Sequence, residues 1–203
     1  MKEIVIVDYG LGNIGSLLNM LEHIGVEARI SNAANDIIDA EKLVLPGVGA
    51  FDYAMEKLEE EKLIEILNFK VVEKSCPILG VCLGMQLMCR SSEEGVKSGL
   101  GWVEGDVKRI ASKPGVVIPH MGWNYAKQTK VSPLTQELYS DSRFYFVHSF
   151  YVELVTKTDE ILSCEYESEF TCGFQVGNIY GVQFHPEKSH RFGKQLLSNF
   201  AAL

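Results

Sequence analysis

The sequence lacks the cysteine spacing of a zinc site or of a disulfide framework. Its five cysteines are an odd number and form no CxxC pair, which disfavours structural zinc and favours reduced thiols. It also lacks an apolar run of transmembrane length and an N-terminal stretch typical of a secretory signal. These absences predict a cytoplasmic location, no membrane contact, no metal and no other cofactor.

Positive charge is scarce as well. The chain carries 19 Lys and Arg against 27 Asp and Glu, for a net charge of −8, and no basic cluster interrupts that balance. Nucleic-acid-binding proteins usually present a basic patch or stripe. We therefore expect no nucleic-acid partner.

Apolar residues are abundant. With 203 residues, 46% of them hydrophobic, the chain can bury a full core. No low-complexity linker and no internal repeat divides it. A single domain spanning 1–203 is the expectation.

The first 90 residues alternate between strand and helix patterns. Continuous apolar runs predict buried strands at 4–7, 26–30, 42–47 and 77–81. Apolar residues at helical spacing predict a helix from Ile14 to Ile24, ended by Gly25, and one or two helices lie within 51–74. This order predicts a parallel sheet with helices on both faces.

The second half has a different pattern. Short strand-like segments separated by turn residues predict antiparallel ribbons added to the sheet, and residues 189–203 close the chain with a helix. The apolar face of that helix consists of Phe192, Leu196, Leu197 and Phe200. The predicted fold class is therefore α/β, with a mostly parallel central sheet, helices on both faces and added antiparallel strands.

The stretch "GLGNIG" at residues 10–15 matches the loose GxGxxG pattern of dinucleotide-binding folds. No acidic residue closes a strand about twenty residues later, because Ile30 is followed by Ser31 and Asn32. We interpret the stretch as a tight turn before a packed helix.

Cys82 lies in "GVCLG", the Gly-x-nucleophile-x-Gly form of a sharp strand-to-helix turn. Gly80 and Gly84 would let the strand and helix approach closely. A cysteine at a helix N-terminus meets free N–H groups that favour the thiolate, and the N–H of Leu83 would face an oxyanion. The alternative is a core cysteine in a glycine-bracketed turn.

A thiolate nucleophile needs a base, and "GVQFHPEKS" provides one in His185. Pro186 favours an extended conformation for His185, and residues i and i+2 of an extended segment face the same side. Glu187 would then orient the imidazole as the third member of a triad. A solvated His and Glu at a strand end is the alternative.

Three motifs together, "PGVGAF", "GVCLGMQLM" and "GVQFHPEKS", resemble those of the class I (triad) glutamine amidotransferases. "DYGLGNI", "SSEEG", "IPHMGWN" and "FVHSF" extend the resemblance to the amidotransferase subunits of imidazole glycerol phosphate synthase. The resemblance implies that Cys82, His185 and Glu187 hydrolyse glutamine, and that the ammonia passes to a separate (β/α)₈ cyclase subunit in a heterodimer.

The resemblance also implies roles for further residues. A second oxyanion donor would come from Gly47, Val48 and Gly49, where glycines permit a peptide to rotate. Glutamine would be bound by Gln86, Glu94 and the main chain of His148, Ser149 and Phe150. Family members often carry tyrosine where this chain has Phe150, and a main-chain contact survives that change. Without the resemblance, Gln86 and Glu94 would be interpreted as a solvated helix face.

The remaining implied residues belong to the cyclase interface. They are Pro119, Met121, Trp123, Tyr145 and Lys188. The stretch 119–124 is interpreted as turn-rich, and Trp and Met are enriched at interfaces.

Three alternatives stay open at the level of sequence. The partner could be a cyclase-like paralogue that makes amidated surface sugars, since "EKSHRFG" is similar to such proteins. The chain could also be a stand-alone cysteine amidohydrolase or peptidase. A non-catalytic binding subunit is disfavoured because Cys82, His185 and Glu187 are all present.

Overall fold

The computed structural model describes residues 3–203. The strands are β1 (Ile4–Val7), β2 (Ala28–Ser31), β3 (Lys42–Leu45), β4 (Ile78–Val81), β5 (Ser91–Ser92), β6 (Gly105–Arg109), β7 (His120–Tyr125), β8 (Lys127–Gln128), β9 (Arg143–His148), β10 (Phe150–Leu154), β11 (Glu160–Glu165), β12 (Glu169–Val176) and β13 (Ile179–Val182). The helices are α1 (Ile14–His23), α2 (Ala34–Asp39), α3 (Phe51–Glu60), α4 (Leu63–Asn68), α5 (Leu83–Leu87) and α6 (His190–Ala202). One π-helical turn, Phe69–Glu73, extends α4.

Five parallel strands form the centre of the molecule, in the order β2-β1-β3-β4-β13. Both faces of this sheet are covered. Along β1, Val5 and Val7 belong to the core beside α2, α3 and α4, whereas Ile4 and Ile6 belong to the core beside α1 and α6. Two-sided burial explains why these strands are continuous apolar runs rather than alternating patterns.

Mostly antiparallel strands extend the sheet beyond β13. The order continues β12-β10-β6-β5, in which only β5 and β6 pair in parallel, and β11 pairs with β12 and β8. Strands β7 and β9 form a separate two-stranded sheet. The predicted fold class is confirmed: a mostly parallel central sheet with helices on both faces and added antiparallel strands.

The strand predicted at 26–30 begins later than expected, at Ala28. The cause is the end of α1. Gly25 has a φ of +75°, and the N–H of Val26 donates to the carbonyl of Leu21, which satisfies an orphan carbonyl at the helix terminus. Val26 is therefore part of the helix cap and cannot join β2.

Helix α2 is absent from the sequence predictions. It has six residues, of which only Ile37 is buried. One buried position gives no helical periodicity, so a pattern of apolar residues could not reveal this helix.

The strand-like pattern of the second half is confirmed at residues 120–125, whereas the interpretation of residues 119–124 as turn-rich is wrong. His120–Tyr125 is a strand paired with β9. Ser149 separates β9 from β10, and these two strands belong to different sheets. Gly122 and Asn124 share the inward face of β7 with His120. Gly122 has a φ of +124°, which favours glycine, and the amide of Asn124 contacts His120 and the carbonyl of Glu165.

The carboxyl ends of β3, β4 and β13 lie side by side in the parallel sheet. In open α/β sheets, this edge is where ligand sites form. Residues 46–49 and Cys82 follow β3 and β4 directly, and His185 lies three residues after the end of β13. Within residues 3–203, no helix combines the length and the apolar character needed to cross a membrane.

Candidate active site

Cys82 lies at a strained backbone position between β4 and α5. Its φ is +56° and its ψ is −113°, a conformation that costs free energy for a residue with a side chain. The two glycines of the motif are required sterically. A Cβ on Gly84 would lie 1.9 Å from the carbonyl oxygen of Leu45, and one on Gly80 would lie 2.8 Å from the carbonyl oxygen of Gly84. The predicted sharp strand-to-helix turn is confirmed.

The helix after Cys82 has only five residues. The carbonyl of Cys82 accepts from the N–H of Met85 at 3.1 Å, so the helix starts immediately. The N–H groups of Leu83 and Gly84 belong to its first turn, where helical N–H groups have no intrahelical partner.

His185 and Glu187 form a buried pair beside this turn. Nδ1 of His185 lies 2.8 Å from Oε1 of Glu187, and both side chains are nearly inaccessible. His185 is extended, as predicted, but Glu187 lies in a 3₁₀ turn that begins at Pro186. The two side chains therefore meet across a turn, and the prediction of a continuous extended segment is wrong. The N–H of His185 donates to the carbonyl of Tyr145 at 2.9 Å, which fixes the backbone.

The proton on His185 is held strongly. Burial alone would lower the pKa of this imidazole, but its interactions with Cys82 and Glu187 outweigh burial and raise the pKa to about 10. Within residues 3–203, Nε2 of His185 is buried without a hydrogen-bond partner of ordinary geometry. The neighbouring Cys82 and Glu187 favour the protonated form of this ring.

A cavity of about 310 Å³ opens in front of Cys82 and His185. It brings together most of the residues that the sequence predicted to bind substrate or an oxyanion. Its lining consists of Val48, Gly49, Cys82, Leu83, Gln86, Glu94, Pro119, Val147, His148, Ser149, Phe150 and His185.

Gln86 is not on a solvated helix face, because only 4% of it is exposed. Its Nε2 donates to the carbonyl of Phe150 at 3.0 Å and to Oε1 of Gln183 at 2.9 Å. Gln183 is a residue that the sequence analysis missed, and its Nε2 lies 3.8 Å from Sγ of Cys82. Gln183 follows the last residue of β13, and its partners lie far away in the chain, so no local pattern identified it.

Glu94 projects toward the cavity from the loop after β5. Its Oε2 accepts from the N–H of Phe51 at 2.9 Å, at the start of α3. The same loop is held by Asp52, whose carboxylate accepts from the N–H groups of Val96 and Lys97. Those bonds lower the pKa of Asp52 and hold the loop that carries Glu94 against the start of α3.

The segment 46–49 packs against the start of α5. A Cβ on Gly47 would lie 2.6 Å from the nitrogen of Gly84, so only glycine fits there. Gly49 has a φ of +95°, which favours glycine for its backbone conformation. The hydroxyl of Tyr9 donates to the carbonyl of Pro46 at 2.6 Å and anchors the start of this segment.

The stretch "GLGNIG" forms the predicted tight turn before α1. Gly10 and Gly12 have φ values of +85° and +118°. A Cβ on Gly12 would lie 2.9 Å from the Cβ of Pro46. The turn therefore packs against the segment that leads to the cavity, and Asn13 reaches Oε1 of Glu187 at 3.3 Å.

Most of the predicted interface residues lie on one surface next to His185. Met121 and Trp123 are 61% and 45% exposed on the outward face of β7. The ring of Trp123 meets Tyr145 edge-on at 6.3 Å, and Nζ of Lys188 lies 5.7 Å from the centroid of Tyr145. Pro119, predicted for the interface, lines the cavity itself.

The other four cysteines have a different environment. Burial raises the pKa of each thiol, to about 12 for Cys164, and above the ordinary value for Cys76, Cys89 and Cys172. None of them lines the cavity. Among residues 3–203, no group of three or more His, Cys, Asp or Glu side chains is arranged to hold a metal ion.

Comparison with known proteins gives a consistent result. A family model described as "Glutamine amidotransferase class-I" matches residues 5–202. The chain is 51% identical over 197 residues to the imidazole glycerol phosphate synthase subunit HisH 2 of Methanococcus maripaludis, covering 97% of this chain and 98% of that protein. It is 46% identical over 200 residues to the subunit HisH 2 of Pseudomonas aeruginosa, covering 98% and 99%.

Solved structures show the same architecture at lower identity. The structure of PurLQS from Thermotoga maritima matches with a TM-score of 0.76 at 20% identity and covers 98% of both chains. This likeness concerns the fold alone.

Proposed function

Because the chain belongs to the class I glutamine amidotransferase family, we propose that it is a glutaminase subunit. It hydrolyses the side-chain amide of glutamine to glutamate and ammonia. One observation carries the proposal: the glycine-bracketed Cys82 and a proton-bearing His185 line the same cavity. The whole chain, 1–203, would be one amidotransferase domain.

In the first half of the reaction, Sγ of Cys82 attacks the carboxamide carbon of glutamine. A C–S bond forms, and the carbonyl oxygen becomes an oxyanion. His185 donates its Nε2 proton to the amide nitrogen, the C–N bond breaks, and ammonia leaves. The product is a γ-glutamyl thioester, and Glu187 holds the imidazole through Nδ1.

In the second half, water attacks the thioester carbon. The imidazole of His185, now neutral, accepts a proton from that water. The C–S bond breaks, glutamate leaves, and the imidazolium and thiolate are restored. Loss of the Glu187 carboxylate would destabilise the imidazolium form of His185 in both halves of the reaction.

The proposed binding groups surround the reacting carbon. The N–H of Leu83 is one oxyanion donor, and a peptide N–H of Gly47, Val48 or Gly49 is the second. Oε1 of Glu94 pairs with the α-ammonium of glutamine. Gln86 supports the wall formed by His148, Ser149 and Phe150, whose main chain binds the substrate.

The proposed partner is the (β/α)₈ cyclase subunit of imidazole glycerol phosphate synthase, in a cytoplasmic heterodimer. Ammonia would pass to that subunit, which makes imidazole glycerol phosphate and AICAR in histidine biosynthesis. The names of relatives at 51% and 46% identity support this pathway over surface-sugar synthesis. Met121, Trp123, Tyr145 and Lys188 form the docking surface, and Pro119 lies between it and the cavity.

Partner binding would also regulate the rate. If a carbonyl of the segment 46–49 faces the cavity before docking, the second oxyanion donor is missing. Absence of one donor costs roughly 10²–10³ in kcat. The isolated chain should then be a poor glutaminase, which prevents wasteful release of ammonia.

The test is glutamate release from glutamine by the full chain, with and without the cyclase subunit from the same genome. We expect low turnover alone and strong stimulation by the partner, with no turnover in Cys82→Ser. Full turnover without any partner would indicate a stand-alone amidohydrolase. Absence of turnover under both conditions would contradict the proposed function.

A further inference from the structure

Two buried histidines, His120 and His148, lie beside the cavity, and neither side chain has a role in the mechanism above. These residues are register partners on β7 and β9. Nδ1 of His120 lies 2.9 Å from Nε2 of His148. Nδ1 of His148 lies 2.8 Å from the carbonyl oxygen of Phe150, and Nδ2 of Asn124 lies 3.2 Å from Nε2 of His120.

The groups at the two ends of this series of hydrogen bonds determine which ring nitrogens carry protons. The carbonyl of Phe150 only accepts, so His148 carries its proton on Nδ1, and a neutral ring then accepts at Nε2. His120 must therefore donate from Nδ1, and it accepts at Nε2 from Asn124.

The Asn124 end of the series independently gives the same placement of protons. Nδ2 of Asn124 donates to the carbonyl of Glu165 at 2.8 Å, and its Oδ1 accepts from the N–H of Tyr125. The amide orientation is thus fixed, and Nδ2 is a donor to His120. Every nitrogen of the two rings has a matched partner only when both rings are neutral with the proton on Nδ1.

The surroundings favour this neutral state. The ring of His120 is stacked between Phe146 and Tyr166, at centroid distances of 4.8 and 4.0 Å. Burial lowers the pKa of His120 to about 4 and that of His148 to about 3. A proton added to His148 would place two N–H groups face to face.

The chain of hydrogen bonds ends at the substrate wall. The carbonyl of Phe150 accepts from His148 on one side and from Gln86 on the other, so its peptide cannot rotate. Gln86 continues through Gln183 to the region of Cys82. Phe150, His148 and Gln86 all line the cavity.

We propose that His120 and His148 are positioning residues: a neutral hydrogen-bond relay of fixed tautomer that holds the Phe150 carbonyl and thereby shapes the glutamine pocket. This role rests on the proposed glutaminase function. It predicts that breaking the relay weakens glutamine binding, whereas the chemistry at Cys82 continues.

Two substitutions of His120 distinguish a hydrogen-bonding role from a role in packing alone. His120→Phe keeps an aromatic ring between Phe146 and Tyr166 but removes the donor to His148. His120→Asn loses the stacking and much volume, yet its amide can place a donor near the former Nδ1. A packing role predicts that Phe is tolerated better than Asn, and the relay predicts the reverse.

The kinetic measurement uses the full chain with the cyclase subunit. We expect His120→Phe to raise KM for glutamine about tenfold with kcat changed less than about threefold, and His120→Asn to keep KM within about threefold. A normal KM in His120→Phe, or a larger defect in His120→Asn, would overturn the relay.

A tautomer measurement stays decisive even where a variant fails to fold or no glutamine is turned over. Long-range ¹H–¹⁵N spectra of the unsubstituted chain at pH 7 should show both rings neutral with the proton on Nδ1. A proton on Nε2 of either ring, or a charged ring, would contradict the relay. Failure of the glutaminase function leaves this spectrum unchanged, so the two failures are distinguishable.

Discussion

Two buried histidine groups border the same cavity, and they hold their protons in opposite ways. The pKa of His185 is raised to about 10, whereas the pKa values of His120 and His148 are lowered to about 4 and about 3. All three rings are nearly inaccessible. Burial therefore does not explain the difference.

The neighbours explain it. His185 faces the carboxylate of Glu187 and the sulfur of Cys82, which both favour a charged ring. His148 faces another neutral ring and a carbonyl that offsets only part of the effect of burial. One group can deliver a proton, and the other can only hold a position. The groups that contact its two ring nitrogens thus determine whether a buried histidine can transfer a proton or only holds its neighbours in place.

The largest effect should come from removing either reacting group. Cys82→Ser and His185→Ala should each lower the glutaminase rate by on the order of 10⁶, because triad members act as a unit. Glutamate release by the chain with its partner is the measurement. His120→Ala or His148→Ala as severe as His185→Ala would erase the distinction between the two groups.

Removing only the carboxylate should make His185 more similar to His148. In Glu187→Gln the hydrogen bond can survive, but the charge that favours imidazolium is lost. We expect the rate to fall by roughly 10³–10⁴, a smaller loss than that of the nucleophile. NMR titration should show the pKa of His185 well below about 10.

The same variant has a predictable pH dependence of stability. A folded-state pKa raised from 6.5 to about 10 stabilises the protein fully below pH 6.5, and that contribution is lost as the pH rises toward 10. The unfolding-temperature difference between the unsubstituted chain and Glu187→Gln should therefore be larger at pH 6 than at pH 10. An unchanged difference would mean that Glu187 does not hold the proton on His185.

The docking surface should affect association rather than chemistry. Trp123→Ala removes a large, half-exposed side chain beside Tyr145. Loss of an interface anchor costs about 2 kcal/mol, or about 30-fold in Kd. Titration with the cyclase subunit measures it, and Val155→Ala is a control at another exposed apolar site. Equal effects of the two substitutions would exclude Trp123 as an anchor.

The smallest effect on activity should come from placing a carboxylate next to His120, one of the two neutral histidines. Asn124→Asp replaces the donor to His120 with an acceptor, so the pKa of His120 should rise from about 4 to above 6.5. A charged His120 can still donate from Nδ1 to His148, so KM for glutamine should change less than about threefold. NMR titration tests the shift, with exposed Asn19→Asp as the control. An unchanged pKa would contradict the role given to neighbouring groups.

The parallel half of the fold was predictable because strands buried on both faces are visible as apolar runs. β1, β3 and β4 fall where these runs predict them. The failures have local causes. Val26 bonds back to Leu21 and so delays β2, and α2 buries only Ile37.

In the candidate site too, some residues could be predicted from the sequence and others could not. Cys82 was recognisable because Gly80 and Gly84 mark a close approach of strand and helix. Gln183 and the His120–His148 pair were not, because their roles depend on partners 28 to 101 positions away in the chain. Sequence spacing identifies a motif that is local, and only the fold brings distant polar groups together.

The central claim is that Cys82 is the nucleophile, and covalent labelling tests it most directly. A glutamine-analogue electrophile would be incubated with the full chain, and the modified peptides identified by mass spectrometry. We predict one label, on Cys82, and none on the four cysteines whose pKa values are raised by burial. Labelling mainly at Cys76 or Cys89, with Cys82 unmodified, would contradict the account.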